Sequence, residues 1–409
     1  MLPGSATAST QTGPGTHVGL ELEAETSEGW EMATKHHIYL VPGFFGFANL
    51  GELLYFGHVR DYFVAELARR GVEVEVVQVL SHPTGSIRTR AADLLKAIEA
   101  STAKDDDGPI HLIGHSTGGL DARLFVSPGV SLADGVDVET YARRVRTVVT
   151  VSSPHAGTPL ASFFLGLFGQ KLLQLLSLFT VYVLRFGRLP LSVAFRLGSL
   201  LTRWDEQLGF RPTLLDQLFE QLLGDFSLER REELVRFLGD VGNDASLIPQ
   251  LTPEGIDLFN ASCQDRPGVR CGSVITQARP PSLRARLNAG LDPYAQITHT
   301  VYSFLYGRTQ QMPLPAIPLH TAAQTAALVE AYGALPGPQA CDGIVPTRSQ
   351  VYGRVLTAVR ADHLDAIGHF DQPAHRPPHV DWLISGSGFR RLQFERLWRT
   401  VVDFVLLET

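Results

Sequence analysis

Short apolar runs alternate with amphipathic stretches along the first part of the chain. The apolar runs are rich in β-branched residues and are typical of buried strands, at residues 37–42, 72–79, 110–113 and 145–151. The stretches between them place apolar residues at helical spacing, at residues 61–70, 87–101 and from Gly118 onward. Strands that alternate with helices in this way form a parallel sheet with helices on both faces. The pattern therefore predicts an α/β fold.

This alternation stops near residue 160, where a long apolar stretch begins. From Leu160 to Phe186, Lys171 is the only charged residue before Arg185. The stretch is as long as a transmembrane helix, which needs about 20 predominantly apolar residues. A narrow polar stripe nevertheless follows one helical face, at Gln170, Lys171, Gln174 and Ser177. Because a span here would also separate two halves of one sheet across a bilayer, we predict a helical cap and no transmembrane span.

Downstream of the apolar stretch, the pattern predicts further helices and then a return to the sheet. Helical spacing occurs at residues 199–240 and 245–261, strand composition at Ile297–Phe304 and Val355–Val359, and a closing helix at Phe389–Leu407. The expected organisation is a flexible tail at 1–31, an α/β core at 32–156 and 297–409, and a helical cap inserted at 157–296.

The composition indicates a globular protein and excludes several function classes. Charged residues make up 19% of the chain and hydrophobic residues 44%, whereas a disordered protein would be rich in charge and poor in apolar residues. The net charge is −7 and no block of Lys or Arg occurs, so binding of nucleic acid through a basic patch is not expected. The 3 cysteines exclude a disulfide framework. The short Cys263–Cys271 interval suits a bridge in an oxidising compartment, and buried thiols are the alternative.

The first residues lack the features of a signal peptide. They contain neither a basic start nor an apolar core of useful length. We therefore expect a cytoplasmic protein, with secretion by a route that uses no standard signal peptide as the alternative.

The strongest chemical signal is the sequence Gly-His-Ser-Thr-Gly at residues 114–118, which matches the G-x-S-x-G pattern. It follows a predicted strand and precedes a predicted helix, which is the context of a nucleophile elbow. The turn is so sharp that the residues two before and two after the serine must be small, as Gly114 and Gly118 are. Such a turn exposes the serine Oγ at the carboxyl end of the sheet, where open α/β sheets bind ligands. Ser116 is therefore the candidate nucleophile.

A serine nucleophile needs a base, and the base needs an orienting carboxylate. In this fold the partners follow in the order serine, acid, histidine. His363 lies just past the predicted strand Val355–Val359, in a loop at the same sheet edge as Ser116. It is the preferred base, and His369 is its rival.

The acid is expected in a loop that precedes the histidine. Asp342 stands in such a loop, within the sequence ACDGIVP, and the order of Asp342 and His363 suits two neighbouring loops at strand ends. Glu330 lies in a helical run and suits the role less well. An aspartate before glycine is also common in turns, which is the structural alternative.

Attack by such a serine on a carbonyl also needs donors for the negative oxygen of the transition state. The backbone N–H of Thr117, the residue after the nucleophile, is one candidate. The loop after the first strand supplies the second, because Gly43 lets the backbone approach and the Phe44 N–H would point into the site. A wall of the acyl pocket is the alternative role for Phe44.

The histidines and aspartates between His363 and His379 raise the question of a metal site. Their spacing does not match a compact structural zinc pattern. A triad and an ordinary loop account for the same residues, so the spacing predicts no metal.

Six motifs follow one another along residues 37–370: VPGFFG, GHSTGG, SSPHAGTPLA, LTPEGIDLFN, DGIVP and DHLDAIG. Together they resemble the bacterial true lipases of the α/β-hydrolase fold, the Pseudomonas-type triacylglycerol lipases and related esterases. The resemblance implies hydrolysis of carboxylic esters beneath a helical lid. It assigns the triad to Ser116, Asp342 and His363, and the oxyanion donors to Phe44 and Thr117.

Two departures from the family pattern concern the oxyanion loop and calcium. Pro42 occupies the position of the histidine that usually precedes the oxyanion glycine, so the loop needs a different support. Members of the family often bind a structural calcium near the catalytic histidine, and Asp365 matches one ligand. The partner aspartate has no counterpart, because no Asp occurs between Asp292 and Asp342. We therefore expect that no cofactor is required and that a calcium site would be incomplete.

The sequence thus predicts a serine carboxylester hydrolase that cleaves acylglycerols or other lipid-like esters through an acyl-enzyme. Its apolar cap is expected to form a lid and to meet a lipid–water interface. Acyl transfer to an alcohol, or cleavage of a phospholipid or polyester, is the alternative with the same triad. A non-catalytic protein that binds membrane interfaces is the alternative of another class.

Overall fold

The structure is a computed structural model that describes residues 35–44, 55–102, 107–132, 136–186, 190–202, 212–282, 292–311, 320–381 and 383–407. The predicted tail at 1–31 lies outside the described residues.

Within these ranges, six parallel strands form one sheet, which confirms the predicted α/β architecture. In chain order they are β1 His36–Val41, β2 Val74–Gln78, β3 Ile110–His115, β4 Val145–Val151, β5 Arg270–Thr276 and β6 Arg354–Val359. Their spatial order is β2-β1-β3-β4-β5-β6. Every residue of the central strand β3 is buried, as expected for a strand that is covered on both faces.

Helices precede, interrupt and follow the strands. Before β4 lie α1 Gly57–Arg69, α2 Ile87–Ser101, α3 Gly118–Val126 and α4 Val138–Ala142. Between β4 and β5 lie α5 Pro159–Phe164, α6 Leu167–Phe186, α7 Leu191–Thr202, α8 Pro212–Leu223, α9 Leu228–Asn243, α10 Leu247–Gln250 and α11 Pro253–Ser262. After β5 lie α12 Pro293–Gln311, α13 Ala322–Tyr332 and α14 Arg391–Leu406.

Two apolar cores cover the opposite faces of the sheet. Successive side chains of a strand point to opposite faces, so Ile38 and Tyr39 of β1 belong to different cores. Ile38 joins the core that contains Phe63 of α1 and Trp398 of α14. Tyr39 joins the core that contains Phe125 of α3. The sheet therefore lies between two helical layers, and its strand ends remain available for loops.

The helices between β4 and β5 are held together mainly by apolar side chains. Helix α6 packs against α8 and α9 and buries Leu172, Leu176 and Phe179. Its predicted polar stripe includes Lys171, whose Nζ lies 2.9 Å from Oδ1 of Asp216 on α8 in an exposed ion pair. Among the described residues, no helix combines the length and the apolar character that crossing a membrane requires.

The stretch Ile297–Phe304, expected as a strand, is part of helix α12, so this prediction was wrong. Its β-branched and aromatic residues have strand propensity, but Ile297, Val301 and Leu305 recur at helical spacing and are buried together. Threonine and serine hydroxyls of the helix donate to carbonyls four residues earlier, which satisfies them without a sheet. Tertiary packing therefore outweighs the local propensity.

Strand β5 lies inside the segment 157–296 that was expected to be wholly a helical insertion, which corrects that boundary. Its sequence, RCGSVIT, mixes glycine and polar residues with the apolar ones and hides the strand pattern. A Cβ at Gly272 would lie 2.8 Å from the Leu356 side chain, so the close approach of β6 requires glycine here. The sheet resumes at Arg270, while the division of the chain into domains stays a prediction.

The three cysteines are unpaired thiols. Cys263 and Cys341 are buried and Cys271 is half-buried. Burial raises the pKa of all three thiols. This arrangement corresponds to the alternative of buried thiols and not to a Cys263–Cys271 bridge.

Candidate active site

Ser116 stands on a strained turn between β3 and α3. Its φ of 55° lies in the left-handed region, which is rare for a residue with a side chain. A Cβ at Gly114 would lie 2.3 Å from the Gly118 carbonyl, and one at Gly118 would lie 2.2 Å from the Val41 carbonyl oxygen. These contacts leave room only for glycine on either side of the serine. The turn places Ser116 at the wall of a cavity beyond the carboxyl end of the sheet.

His363 and Asp342 form a buried pair beside the same cavity. The Nδ1 atom of His363 lies 2.8 Å from Oδ2 of Asp342, and the Asp342 carbonyl accepts the backbone N–H of His363 at 3.1 Å. Asp342 is fully buried, whereas His363 lines the cavity together with Ser116. The structure thus brings the three residues proposed as a triad to one place, from three different loops.

The Asp342 carboxylate is held by four further donors. Its Oδ1 accepts the backbone N–H groups of Ile344 and Val345 at 3.0 and 2.7 Å. Its Oδ2 accepts the Thr276 hydroxyl at 2.8 Å and the Gln350 amide at 3.2 Å. Donors on both oxygens fix the direction of the carboxylate toward His363. Thr276 and Gln350 are supporting residues that sequence reasoning missed, because neither belongs to a recognisable motif.

Phe44 and Thr117 line the same cavity as Ser116. The loop that carries Phe44 passes very close to the serine: a Cβ at Gly43 would lie 2.7 Å from the Ser116 Cβ. This agrees with the reason for expecting glycine at position 43, namely a close approach of the backbone to the site.

A buried arginine supports the loop after β1. Nη2 of Arg90 donates to the Pro42 carbonyl at 2.5 Å, and Nη1 donates to the His82 carbonyl at 2.6 Å. Arg90 is paired with Asp121 at 2.8 Å, and both side chains are fully buried. Burial raises the pKa of Asp121 to about 6, although the arginine opposes this shift. The loop was expected to need a different support because Pro42 stands in place of a histidine, and the Arg90–Asp121 pair supplies that support. No motif in the sequence indicated the pair.

A second buried network links the loop after β1 to the backbone of His363. The Gly43 N–H donates to the Tyr55 hydroxyl at 3.3 Å, and that hydroxyl lies 2.6 Å from Nδ1 of His115. Nε2 of His115 lies 2.8 Å from the His363 carbonyl oxygen. Because a carbonyl only accepts, Nε2 carries the proton and Nδ1 accepts from Tyr55. Burial, and then His363, hold the pKa of His115 well below its usual value, so the ring is neutral.

The alternative base, His369, and the alternative acid, Glu330, lie elsewhere. Among the described residues, the lining of the cavity includes His363 but not His369. His369 is buried against the backbone of Tyr55, and burial lowers its pKa to about 3. Glu330 is exposed on α13.

Asp365, the candidate calcium ligand, is buried among protein donors. Its Oδ2 accepts the Asp362 N–H at 2.9 Å and the Ser387 hydroxyl at 2.7 Å. Burial and the nearby carboxylates of Asp362 and Asp381 raise its pKa well above the usual value. The carboxylate therefore shapes the loop around His363, and the expectation of an incomplete calcium site stays a prediction.

The cavity is partly open to solvent, and its lining is almost entirely apolar. Helices α5 and α6 contribute Phe164, Leu176 and Phe179, and helix α12 contributes Val301 and Leu305. Ser116, His363 and the backbone at Phe44 and Thr117 therefore border a space whose remaining walls are apolar. Such a space suits a ligand with a hydrocarbon part and one polar group near Ser116.

Comparison with known proteins gives partial matches. No model of a protein family matches the chain. A triacylglycerol lipase of Vibrio cholerae is 30% identical over 148 residues, which are 36% of this chain and 41% of the relative. Triacylglycerol lipase 2 of Saccharomyces cerevisiae is 29% identical over 126 residues, which are 30% of this chain and 34% of the relative. The chain thus spans less than half the length of these curated relatives.

Two solved structures resemble the fold at low sequence identity. Lipase 1 from Pelosinus fermentans has a TM-score of 0.49 and 17% identity, covering 91% of this chain and 99% of that one. Staphylococcus hyicus lipase has a TM-score of 0.45 and 14% identity, covering 93% and 97%. The sequence matches make part of this chain similar to triacylglycerol lipases, while the strand order and the turn at Ser116 are those of an α/β-hydrolase fold.

Proposed function

We propose that the protein is a serine carboxylester hydrolase of the lipase and esterase type. One observation carries the proposal. Ser116 and His363 line the same apolar cavity, and Oδ2 of the buried Asp342 lies 2.8 Å from Nδ1 of His363. The partial sequence similarity to two triacylglycerol lipases supports the same conclusion.

In this mechanism, His363 removes the proton from the Ser116 hydroxyl, and the Oγ atom attacks the ester carbonyl. Because Nδ1 of His363 faces Asp342, the nitrogen that accepts this proton is Nε2. Asp342 stabilises the imidazolium that forms. The proton then passes to the leaving alcohol, and the acyl group remains on Ser116. Water, activated by His363 in turn, releases the acid and restores the serine.

The negative oxygen of each tetrahedral intermediate is stabilised by the backbone N–H groups of Phe44 and Thr117. The bonds from Arg90 to Pro42 and from Gly43 to Tyr55 hold the loop that presents Phe44, so this donor is in place before the substrate arrives. Donors that need no reorganisation during the reaction are the ones that lower its barrier.

The substrates we infer are acylglycerols and related esters with a hydrocarbon acyl chain. The apolar walls that α5, α6 and α12 contribute to the cavity accommodate such a chain. We assign the role of a lid to the helices between β4 and β5, since they cover the cavity. Movement of this lid at a lipid–water interface would admit the substrate.

The test is a series of p-nitrophenyl esters of increasing acyl length together with emulsified triacylglycerols, measured on the full chain and on Ser116→Ala. We expect hydrolysis by the parent and its loss in the variant. Addition of an acceptor alcohol distinguishes acyl transfer, since a transferase would form the new ester in preference to the free acid. Vesicle binding that is equal in both proteins, with no hydrolysis by the parent, would favour the non-catalytic alternative.

A further inference from the structure

Three histidines meet beside the candidate active site without belonging to it. His58 lies in the first turn of α1, whereas His375 and His379 lie in the loop after His363. One nitrogen of each ring is within 4.8 Å of the others, which makes them, among the described residues, a group of histidines that could hold a metal ion. The spacing argument missed the group because one of its members comes from the far end of the chain.

Two of these rings already use one nitrogen as a hydrogen-bond donor. Nδ1 of His375 lies 2.7 Å from the Pro377 carbonyl oxygen, and Nδ1 of His379 lies 2.7 Å from the Gly368 carbonyl oxygen. A carbonyl only accepts, so each Nδ1 carries the proton. In a neutral imidazole the other nitrogen, Nε2, then has a free lone pair. Metal-binding histidines are commonly oriented by this kind of bond to a backbone carbonyl.

The third ring lies against the same loop. The backbone of Pro378 is next to the His58 ring, and the Gly368 backbone approaches the His58 side chain. One nitrogen of each of the three rings therefore lies near the other two, where the start of α1 meets residues 368–379.

In the structure the His379 ring is stacked between the rings of His58, at a centroid distance of 3.6 Å, and Phe370, at 4.2 Å. Because a metal ion lies in the plane of each imidazole that binds it, the half-exposed His58 ring would have to turn out of this stack to share an ion with His379. A Cβ at Gly368 would lie 2.9 Å from the His58 Cβ, so a glycine is needed for the loop to approach α1 this closely. His379 is buried, whereas His58 and His375 are half-exposed and leave a path for an ion from solvent.

We propose that His58, His375 and His379 bind one divalent transition-metal ion, with Zn²⁺ as the best match. Imidazole is a preferred ligand of zinc, copper and nickel, whereas calcium and magnesium take oxygen ligands. Three protein nitrogens leave a fourth tetrahedral position for water or another ligand. The ion would tie the start of α1, which follows Tyr55 of the buried network, to the loop that follows His363.

The experiment measures zinc directly and does not depend on hydrolysis. The full chain is freed of metal with a chelator, dialysed and titrated with Zn²⁺, and bound zinc is determined by elemental analysis. We expect one zinc per chain and a rise of several degrees in the Tm at a free zinc concentration about 100 times the Kd. Co²⁺ in place of zinc should give the visible absorption of a nitrogen-ligated ion.

Three variants locate the site. His375→Ala and His58→Gln should each weaken zinc binding by more than about tenfold and remove most of the zinc-dependent rise in Tm. His320→Ala, which alters a half-buried histidine outside the cluster, is the matched control and should bind zinc like the parent. No stoichiometric zinc in the parent, or equal affinity in the parent and His375→Ala, would overturn the proposal. If His58→Gln does not fold, His375→Ala decides alone, since His375 lies in a surface loop.

Discussion

The loops at the carboxyl end of the sheet and the helices α5 and α6 line one cavity, but they are held in different ways. The loops carry Ser116, Asp342 and His363 and are fixed by directional bonds, among them the 2.8 Å contact of Asp342 with His363. The helices contribute side chains such as Leu176 and Phe179, which are held by packing. A hydrogen bond requires particular atoms at a particular distance and angle, whereas a packed apolar side chain can be replaced by another of similar volume. The loops should therefore be sensitive to the loss of one atom, and the helices to the loss of space-filling groups.

The largest effect is expected for the base. His363→Ala removes the only route for the Ser116 proton in our mechanism and should lower kcat by about 10⁶-fold. The measurement is hydrolysis of p-nitrophenyl butyrate. His369→Gln is the control, because His369 does not line the cavity. Near-parent activity in His363→Ala together with loss of activity in His369→Gln would reverse the assignment of the base.

The next effect concerns the orientation of the base. Asp342→Asn preserves the shape of the side chain but presents an amide to Nδ1 of His363, which favours the wrong tautomer, and kcat should fall about 10⁴-fold. The matched control is Asp257→Asn, an exposed aspartate on α11, which should leave kcat unchanged. If Asp342→Asn retained most of the activity, Asp342 would be only a turn residue.

A smaller effect on rate, coupled to a large effect on stability, is expected for Arg90→Met. The substitution leaves Asp121 buried without its partner, which should cost about 3–5 kcal/mol of unfolding free energy. It also frees the Pro42 carbonyl, and the loosened oxyanion loop should lower kcat by about 10²-fold. Urea denaturation and ester hydrolysis measure the two effects.

The double variant Arg90→Met/Asp121→Leu separates these two effects. Removal of both charges should restore most of the stability, because no unpaired charge remains buried. The rate should stay low, since the support of Pro42 is still missing. Full recovery of the rate would show that the pair contributes only to stability.

The smallest effect on the chemical step is expected from the helices. Phe179→Ala should reduce kcat/KM for a decanoate ester about tenfold more than for an acetate ester, because it removes apolar contact with the acyl chain only. Phe195→Ala on α7, where the side chain is 58% exposed, is the control and should change neither value. An equal loss of kcat/KM for both esters would show that Phe179 affects the chemical step as well, and helices α5 and α6 would then not differ from the loops in this respect.

Much of the fold and of the candidate site could be predicted from local signals in the sequence. Continuous apolar runs identified β1, β3 and β4 because central parallel strands are buried on both faces. The glycines around Ser116 and the order of Asp342 and His363 indicated the site because an elbow and two strand-end loops impose a fixed pattern on a single chain.

The remaining features depend on contacts that leave no local pattern. Tyr55 and His115 are joined only when the segment before α1 packs against the end of β3. Arg90 on α2 and Asp121 on α3 are ordinary charged residues in the sequence, and only the folded chain buries them as a pair. Helix α12 was missed for a related reason, since its β-branched residues favour a strand until packing decides otherwise. Propensity describes a segment alone, whereas these features arise between segments.

The bond from His115 to the His363 carbonyl spans 248 positions of the chain, and this distance has a consequence for folding. Contacts between residues so far apart form slowly, because a long loop must close before they are made. During synthesis Ser116 emerges before His363. In the mechanism proposed above, a chain that has not yet docked β6 has a serine without its base and does not hydrolyse esters. The late contact would therefore delay the proposed activity until the sheet is complete.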